Sequence, residues 1–311
     1  MGTTRTVDGG QRQQPAVDGE RRQLLNVSYR LLGSLAEAED AVQEAFARWY
    51  ALTPAQRAAI ESPGAWLTTV TGRICLDVLG SARARRERYV GTWLPEPLPD
   101  RGGGGSGDGD PAELMVLDES VGMALLVVLE AMTPAERVAF VLHDVFRYPF
   151  AEIGAIVGRT PAACKQLAAS GRKRVRDAQG AVVVARQDET VRRIKAAWEA
   201  KDVAGLVGLL DPDAVLTADG GGLVGTVLHP VEGASRIAAY MVAIADRAPG
   251  LELLVRSVNG VAGLVAARDG VVMTVASFEA GADGRIVRIW AVRNPEKLRA
   301  WYEEQPAARE A

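Results

Sequence analysis

The stretch FAEIGAIVGRTPAACKQLAASGRKRVR, residues 150–176, decides the organisation of the first half of this chain. Apolar residues recur at helical spacing up to Val157, and Gly158 then ends that run. Thr160 and Pro161 provide the N-cap and the first-turn proline of a second helix. The pattern therefore predicts two helices that meet at a short turn. The second helix has a thin apolar stripe, which consists of Cys164, Ala168, Gly171 and Val175.

Basic residues dominate the exposed positions of this second helix. From Arg159 to Arg176 there are six basic residues and no acidic one. Such a charge distribution is typical of a helix-turn-helix whose second helix enters the major groove of DNA and whose basic end contacts phosphates. From this stretch alone, a basic helical hairpin that faces only solvent is the alternative interpretation.

The length and composition of the chain limit the classes of protein to which it can belong. With 311 residues, of which 48% are hydrophobic, two or three folded domains are expected. The net charge of −3 argues against a protein that coats nucleic acid along its whole surface, so DNA contacts must come from local basic patches. No apolar run is long enough to cross a membrane. The polar residues 1–21 contain no signal peptide and are expected to form a disordered leader.

The two cysteines indicate the redox compartment. Cys75 and Cys164 lie inside predicted helices of different domains, which favours a reducing cytoplasm over a disulfide framework or a zinc site. A redox pair is the alternative that the sequence leaves open. The sequence predicts neither a cofactor nor a bound metal.

Three further helices are predicted upstream, within residues 22–90. The second of them, AEAEDAVQEAFARWY, turns apolar residues including Phe46 inward and has an acidic and amide outer face. The third helix begins at Pro63 and ends in a cluster of arginines, which the helix dipole favours and which forms a second candidate phosphate-binding patch. This patch consists of Arg83, Arg85, Arg86 and Arg88.

These stretches resemble an extracytoplasmic-function (ECF) sigma factor of bacterial RNA polymerase. AEDAVQEAFARWY and PGAWLTTVTGRICLDVLGSARARRER are similar to region 2, and TPAERVAFVLHDVFRYPFAEIGAIVGRTPAACKQLAASGRKRV is similar to region 4. Region 2 is expected over residues 22–90 and region 4 over residues 112–180. The resemblance implies core RNA polymerase as a partner, together with the −10 and −35 elements of promoter DNA.

The resemblance also implies roles for individual residues. The helix that docks the polymerase clamp would carry Asp40, Gln43, Glu44 and Phe46. The helix that opens and reads the −10 element would carry Arg73, Asp77, Arg83 and Arg86. The −35 reader would carry Arg159, Thr160, Lys165, Gln166 and Arg172, and the basic end of the same helix adds Lys173 and Arg174.

The recognition helix departs from the family at two positions. Leu167 and Ser170 stand where arginines are common in the family, so bidentate contacts to guanine are missing there. Affinity for DNA is therefore expected to depend on phosphate contacts and on DNA shape.

The linker between the two helical modules, residues 91–111, is rich in Gly and Pro and contains the stiff segment WLPEP. Its apolar side chains would be exposed without a docking surface, so this segment is expected to bind one.

The last part of the chain, residues 186–306, is predicted to be a compact α+β domain. Residues 187–216 are interpreted as two helices and 229–247 as a third, followed by four antiparallel strands with Asn259-Gly260, Asp269-Gly270 and Asp283-Gly284 turns. This domain resembles the SnoaL-like group of the cone-shaped nuclear transport factor 2-like fold. The whole chain is thus interpreted as a multidomain protein, with two all-α sigma domains followed by an α+β domain.

Three short motifs are similar to the signatures of the SigJ-like ECF sigma factors, which carry a fused SnoaL-like domain. They are Trp93, Leu94, Pro95, Glu96 and Pro97 in the linker, then Asp219, Gly220, Gly221 and Gly222, and finally Asn294, Pro295, Glu296, Lys297 and Leu298. Glu296 replaces the aspartate that is usual in that family. The resemblance implies that the appended domain is a built-in regulator. Because the WLPEP segment needs a docking surface, we also expect it to bind near residues 219–222 and 294–298, so that the domain packs on the sigma modules through the three motifs.

Two other functions compete with this interpretation. The C-terminal domain could bind a small molecule or act as a polyketide cyclase or isomerase, with Asp219, His229, Glu279 and Asp283 as its available acid/base groups. Asp219 and Asp283 also begin glycine turns, where Asp is favoured for structural reasons. A simple helix-turn-helix repressor would explain neither the acidic helix nor the first arginine patch.

Overall fold

The computed structural model describes residues 14–86, 89–99, 122–178 and 187–302, and for residues 14–19 and 82–86 it describes only the backbone. These residues belong to two compact units. The first comprises Met1–Gly80 and Pro134–Ser170, and the second comprises Ser81–Thr133 and Gly171–Ala311. Two of the three boundaries between the units fall inside long helices.

The first unit begins with four helices. They are α1 (Gln14–Leu32), α2 (Leu35–Ala51), α3 (Pro54–Ala58) and α4 (Pro63–Arg86). Helix α1 begins before Arg22, where the sequence predicts its start, so the expected disordered leader is wrong for residues 14–21; residues 1–13 lie outside the described residues. The short α3 is absent from the sequence prediction, although Thr53 and Gln56 form a complete capping box at its start.

The same unit contains the predicted helix-turn-helix. After α5 (Met123–Glu130), which belongs to the second unit, come α6 (Pro134–Phe140), a π-helical turn (Val141–Val145), α7 (Phe150–Val157) and α8 (Pro161–Ala178). Gly158 has a φ of 69° and ends α7 in the left-handed region that glycine favours. The Thr160 hydroxyl accepts a hydrogen bond from the Ala163 amide at 3.2 Å. The predicted hairpin and its N-cap are therefore present.

The second unit contains the α+β domain. Its elements are α9 (Gln187–Glu199), α10 (Val203–Leu209), β1 (Leu210–Asp219), β2 (Val231–Glu232), α11 (Ala234–Arg247), β3 (Glu252–Val258), β4 (Val261–Arg268), β5 (Val271–Ala280) and β6 (Ile286–Val292), then one 3₁₀ turn (Pro295–Lys297) and α12 (Arg299–Tyr302). The α+β class is confirmed. The helix predicted to continue through Asp211–Leu216 is wrong, because these residues form β1.

The strands form one six-stranded sheet in the order β2-β1-β6-β5-β4-β3. The four predicted strands, β3 to β6, pair antiparallel as expected, whereas β1, which was not predicted as a strand, lies parallel to β6. Asn259-Gly260 and Asp269-Gly270 each connect neighbouring strands with two residues at positive φ, which matches the right-handed twist of a hairpin.

The sheet buries both of its faces. One face packs on helices α9, α10 and α11 through residues such as Leu264, Ala276 and Ile289. The alternate residues Val265, Val275 and Trp290 point to the other face, as the two-residue period of a strand requires. The second face therefore needs its own cover.

Both cysteines are buried and unpaired with each other. Burial raises the pKa of the Cys75 thiol to about 12, and the thiol donates a hydrogen bond to Ser28 Oγ. In the part of the chain that the structure describes, no helix is long and apolar enough to cross a membrane. The same residues contain no cluster of His, Cys, Asp or Glu that could hold a metal ion.

Candidate functional site

The second face of the sheet is covered by residues from outside the α+β domain. Leu94 of the linker and Met123 at the start of α5 join one hydrophobic cluster with Val265, Trp290 and Leu298. Without these two residues, part of this apolar face would be exposed to water. The α+β domain thus binds both described ends of the chain that joins α4 to α5.

Asp219 is the centre of the polar contacts at this surface. Its side chain is completely buried, and the carboxylate accepts four hydrogen bonds. The Tyr89 hydroxyl (2.6 Å) and the Gly221 amide (3.0 Å) donate to Oδ1, whereas the Leu94 amide (2.8 Å) and the Lys297 ammonium (2.7 Å) donate to Oδ2. A buried carboxylate is stable only when it is paired and hydrogen-bonded in this manner.

Lys297 completes the same network. Its ammonium group donates to the Leu94 carbonyl oxygen at 2.6 Å and lies 4.0 Å from the centre of the Trp93 ring and 4.9 Å from that of Tyr89. The side chain is 8% exposed, so its attraction to Asp219 and to the two ring faces is weakly screened. Asp219 and Lys297 together bind both backbone polar groups of Leu94.

Tyr89 is held in its protonated state. Burial, and then the hydrogen bond to the Asp219 carboxylate, raise the pKa of the Tyr89 hydroxyl well above its usual value. The hydroxyl therefore remains a donor to Asp219, and it accepts a hydrogen bond from Asn294 Nδ2 at 2.8 Å.

Two further contacts hold the linker downstream of Leu94. The Trp301 indole N–H donates to the Pro97 carbonyl oxygen at 2.7 Å. Asn259 binds the backbone of Leu98 twice. Its backbone N–H donates to the Leu98 carbonyl oxygen (2.8 Å), and its side-chain Oδ1 accepts a hydrogen bond from the Leu98 backbone N–H (3.0 Å). The rings of Pro95 and Pro97 restrict the backbone of the unbound segment, so less conformational entropy is lost when it binds.

Steric contacts explain why glycine occupies the positions that follow Asp219. Gly221 has a φ of 64°, and a Cβ there would collide with the Asn294 side-chain amide. Gly222 has a φ of 72°, with Val90 where its Cβ would point. A larger residue at either position would be strained and would displace a neighbour.

The structure brings the three predicted motifs together at this surface. Pro95, Pro97 and Leu298 are buried, and Glu96 and Pro295 are half-buried. Asn294 caps the 3₁₀ turn by accepting a hydrogen bond from the Glu296 amide. Gly220 lies between Asp219 and the two glycines with positive φ, Gly221 and Gly222.

Sequence reasoning missed Tyr89, Asn259 and Trp301 at this surface. Asn259 was recognised only as a hairpin-turn residue. Tyr89 lies four residues before Trp93, and Trp301 lies three residues after Leu298. Because buried aromatic side chains with a polar atom usually find a hydrogen-bond partner, their position near the motifs is a signal that could have identified them.

The predicted polymerase-docking residues divide into two groups. Asp40, Gln43 and Glu44 are exposed on α2. Phe46 is only 7% exposed and packs in the core beside Tyr50. The inward orientation predicted for Phe46 is thus observed, and its contribution to docking stays a prediction.

The predicted DNA-binding residues are mostly exposed. The exposed side chains are Arg73, Asp77, Arg159, Thr160, Lys165, Gln166, Lys173 and Arg174, and Arg172 is half-buried. Arg83, Arg85 and Arg86 lie on α4 with their side chains outside the described part, and Arg88 lies outside the described residues altogether.

Helix α4 and helix α7 touch within the first unit. The Arg73 guanidinium donates to the Ala155 carbonyl oxygen through Nη2 (2.9 Å) and Nε (3.3 Å). At the adjacent positions, Gly72 faces Ile156 so closely that an added Cβ would lie 2.9 Å from Ile156 Cγ2. Arg73, a predicted −10 residue, is thus bound to the first helix of the helix-turn-helix.

The two positions at which the recognition helix departs from the family are half-buried within the protein. Ser170 donates a hydrogen bond to Glu136 at 2.5 Å, and Leu167 is half-buried. The Ser170 hydroxyl is therefore already engaged within the protein, and the absence of bidentate guanine contacts at these two positions stays a prediction.

A cavity of about 500 Å³ opens on the opposite, helix-covered side of the sheet. The four candidate acid/base groups lie elsewhere. Asp219 is occupied in the buried network, Glu279 pairs with Arg288 at 3.0 Å, and His229 and Asp283 are exposed. None of the four lines this cavity.

Comparisons with known proteins agree with this architecture. Residues 16–86 match the family described as Sigma-70 region 2, and residues 122–175 match Sigma-70, region 4. The chain is 40% identical over 291 residues to the ECF RNA polymerase sigma factor SigJ of Mycobacterium tuberculosis, covering 89% of this chain and 90% of SigJ. It is 36% identical to the probable ECF RNA polymerase sigma factor SigI of the same organism, over 62% and 64% of the two chains. The crystal structure of M. tuberculosis SigJ superposes with a TM-score of 0.72 and 35% identity, covering 92% of this chain and 98% of that one.

Proposed function

Since this chain belongs to the ECF family of RNA polymerase sigma factors, which bind core RNA polymerase and promoter DNA, we propose that its C-terminal SnoaL-like domain restrains promoter engagement. The domain does so by holding both ends of the linker between region 2 and region 4. The observation that carries this proposal is the burial of Leu94 and Met123 in one cluster on its sheet.

The distance between the promoter elements supports this restraint. The names of the elements place their centres about 25 base pairs apart, which is roughly 85 Å of duplex at 3.4 Å per base pair. When it is released, the whole segment between α4 and α5, residues 87–122, can extend up to roughly 120 Å and spans that distance. The same segment cannot span this distance while Leu94 and Met123 are both held in one hydrophobic cluster.

The contact between α4 and α7 is the second part of the proposed restraint. Arg73 cannot contact DNA fully while its guanidinium donates to the Ala155 carbonyl oxygen. Helices that touch each other also cannot reach two elements that far apart. Productive binding therefore requires both the release of the linker and the separation of these helices.

Run-off transcription with purified core polymerase tests the proposal. Leu94→Asp places a carboxylate in the apolar cluster. Burying this charge without a partner is strongly unfavourable, so the segment should leave the sheet. We expect several-fold more transcript than from the wild type. Val271→Asp, at an exposed position in the same domain, is the matched control and should behave as the wild type. Equal transcription by Leu94→Asp and the control would overturn the proposal.

The exposed face of α2 is proposed to dock on core polymerase. Replacing Asp40, Gln43 and Glu44 together by alanine should weaken binding to core by about tenfold to a hundredfold, the usual effect of removing a few central contacts. Competition with a labelled sigma factor measures the affinity. Alanine at the exposed acids Glu61 and Glu189 is the control for lost charge. A folded triple variant with normal affinity would show that docking uses another face.

The two basic patches are proposed to have different tasks on DNA. Neutralising Arg172, Lys173 and Arg174 should weaken promoter binding and reduce its salt dependence by about one unit of slope for each lost phosphate contact. Neutralising Arg83 and Arg86 should instead impair open-complex formation, measured by permanganate reactivity. If both sets of changes lower duplex affinity equally and leave opening intact, the division of tasks is wrong.

Binding of a small molecule is a second candidate function of the SnoaL-like domain. Its support is the cavity of about 500 Å³, a volume typical of ligand sites. Catalysis there has less support, because the four acid/base candidates do not line the cavity and the curated relatives are sigma factors.

A further inference from the structure

The interior of the cavity is mostly apolar, although Thr226, Tyr240 and Thr274 also contribute to its lining. It lies between the sheet and α11, and its buried walls include Leu216, Met241, Phe278 and Ile289. The Trp198 indole N–H at the wall is already used in a hydrogen bond to the Met241 carbonyl oxygen. An occupant of the interior must therefore present an apolar body, since burying a polar one without partners is unfavourable.

Three arginines join this apolar lining. Arg247 ends α11, Arg268 ends β4 and Arg293 follows β6. Arg247 and Arg268 are exposed and make no ion pair or hydrogen bond within the described residues. Arg293 donates to the carbonyl oxygen of Gly225, a neutral partner. The lining contains no Asp or Glu, so nothing in it neutralises the three positive charges.

We infer that this cavity binds an amphipathic anion, an apolar molecule that carries one carboxylate or similar acidic group. The apolar body fills the interior, and the arginines bind the acidic group through charge-assisted hydrogen bonds. The same arginines repel a cationic ligand. A neutral apolar ligand would fit the interior but would make no use of the charges.

Arg293 also connects the cavity to the linker-binding surface. Its side chain lines the cavity and binds Gly225, while its backbone amide donates to the Asp219 carbonyl oxygen at 2.7 Å. An anion that takes the Arg293 guanidinium from Gly225 frees the loop that begins at Asp219 and contains Gly221 and Gly222. Ligand binding thus weakens docking of the linker; this second step rests on the proposed restraint by the C-terminal domain.

Two fluorescent probes that share a ring system test the ligand class with the full-length protein. 1-Anilinonaphthalene-8-sulfonate carries an anionic group, and N-phenyl-1-naphthylamine lacks it. We expect the sulfonate to bind at one site and at least about tenfold more tightly, the usual strength of hydrogen bonds to a charged group. The double variant Arg247→Gln, Arg268→Gln retains only Arg293, so it should reduce this preference several-fold and leave binding of the neutral probe unchanged.

A second variant separates the cavity from other surfaces. Ala266→Phe places a ring in the cavity and should weaken binding of both probes, whereas Val271→Phe, outside the lining, should not. Equal affinity for the two probes, or binding that Ala266→Phe leaves intact, would overturn the assignment of the ligand class or of the site. Circular dichroism of each variant verifies that it is folded.

Hydrogen exchange of residues 92–99 tests the coupling. Saturation with the sulfonate probe should accelerate exchange of these amides several-fold, and Arg293→Gln should reduce the difference between free and bound protein. If the probe binds without any change in exchange, the coupling is wrong although the ligand site stands. Failure of the restraint itself is recognised separately, because the Leu94→Asp transcription assay contains no ligand.

Discussion

The oxidised double variant Gly72→Cys, Ile156→Cys is expected to lose promoter-directed transcription to the background level, and to regain it on reduction. A Cβ at Gly72 lies 2.9 Å from Ile156 Cγ2 and 3.5 Å from Cγ1, so the two Cβ atoms fall near the separation that a disulfide requires. The isoleucine branch that would obstruct a cysteine at position 72 is removed by the second substitution. The bond joins α4 permanently to α7 and prevents the −10 and −35 readers from separating.

The locking experiment is done in a background with Cys75→Ala and Cys164→Ala, which leaves only the introduced pair. The single variant Ile156→Cys, treated with the same oxidant, is the control for oxidation elsewhere. Binding of core polymerase is measured in parallel, since the lock leaves the exposed face of α2 free. Full transcription by a variant proven to be oxidised would mean that α4 and α7 stay together on the promoter, and the second part of the restraint would be wrong.

The second large effect is expected for Asp219→Asn, which should release the linker from the sheet. The change leaves the Lys297 ammonium buried without its carboxylate, and it turns an amide donor toward groups that are themselves donors. Removing one partner of a buried ion pair costs about 3–5 kcal/mol. Undocking avoids this cost, so protection of the Leu94 amide against hydrogen exchange should fall by about a hundredfold or more.

Two controls accompany the Asp219 variant. Asp283→Asn changes an exposed aspartate that also precedes a glycine, and it should leave protection of the linker within a factor of about two, as surface charges contribute little. The double variant Asp219→Asn, Lys297→Met removes the orphaned charge and should be less disruptive than the sum of its single changes. Unchanged protection in Asp219→Asn would contradict the central role given to this carboxylate.

The sequence alone determines most of the helical half of the protein, because the decisive signals there are local. Gly158 and the Thr160 cap define the turn before α8 through the backbone preferences of three neighbouring residues. The apolar stripe of α8, with Cys164 and Ala168 buried, follows from helical periodicity alone. Likewise, the Asn259-Gly260 turn specifies its hairpin without reference to the rest of the chain.

Only the tertiary structure decides the features that depend on residues distant in sequence. Residues 211–216 became a strand because β6 provides a parallel partner, which outweighs the weak helical pattern. Arg73 is exposed, yet its guanidinium is bound by a carbonyl group from α7, which lies more than eighty residues away in the sequence. The three motifs were recognisable one by one, yet Asp219, Lys297 and Leu94 meet only because strands β1 and β6 end side by side beneath the linker. Long-range pairing of this kind leaves no periodic trace in the sequence, since its energy comes from burial and hydrogen bonds that exist only after the chain has folded.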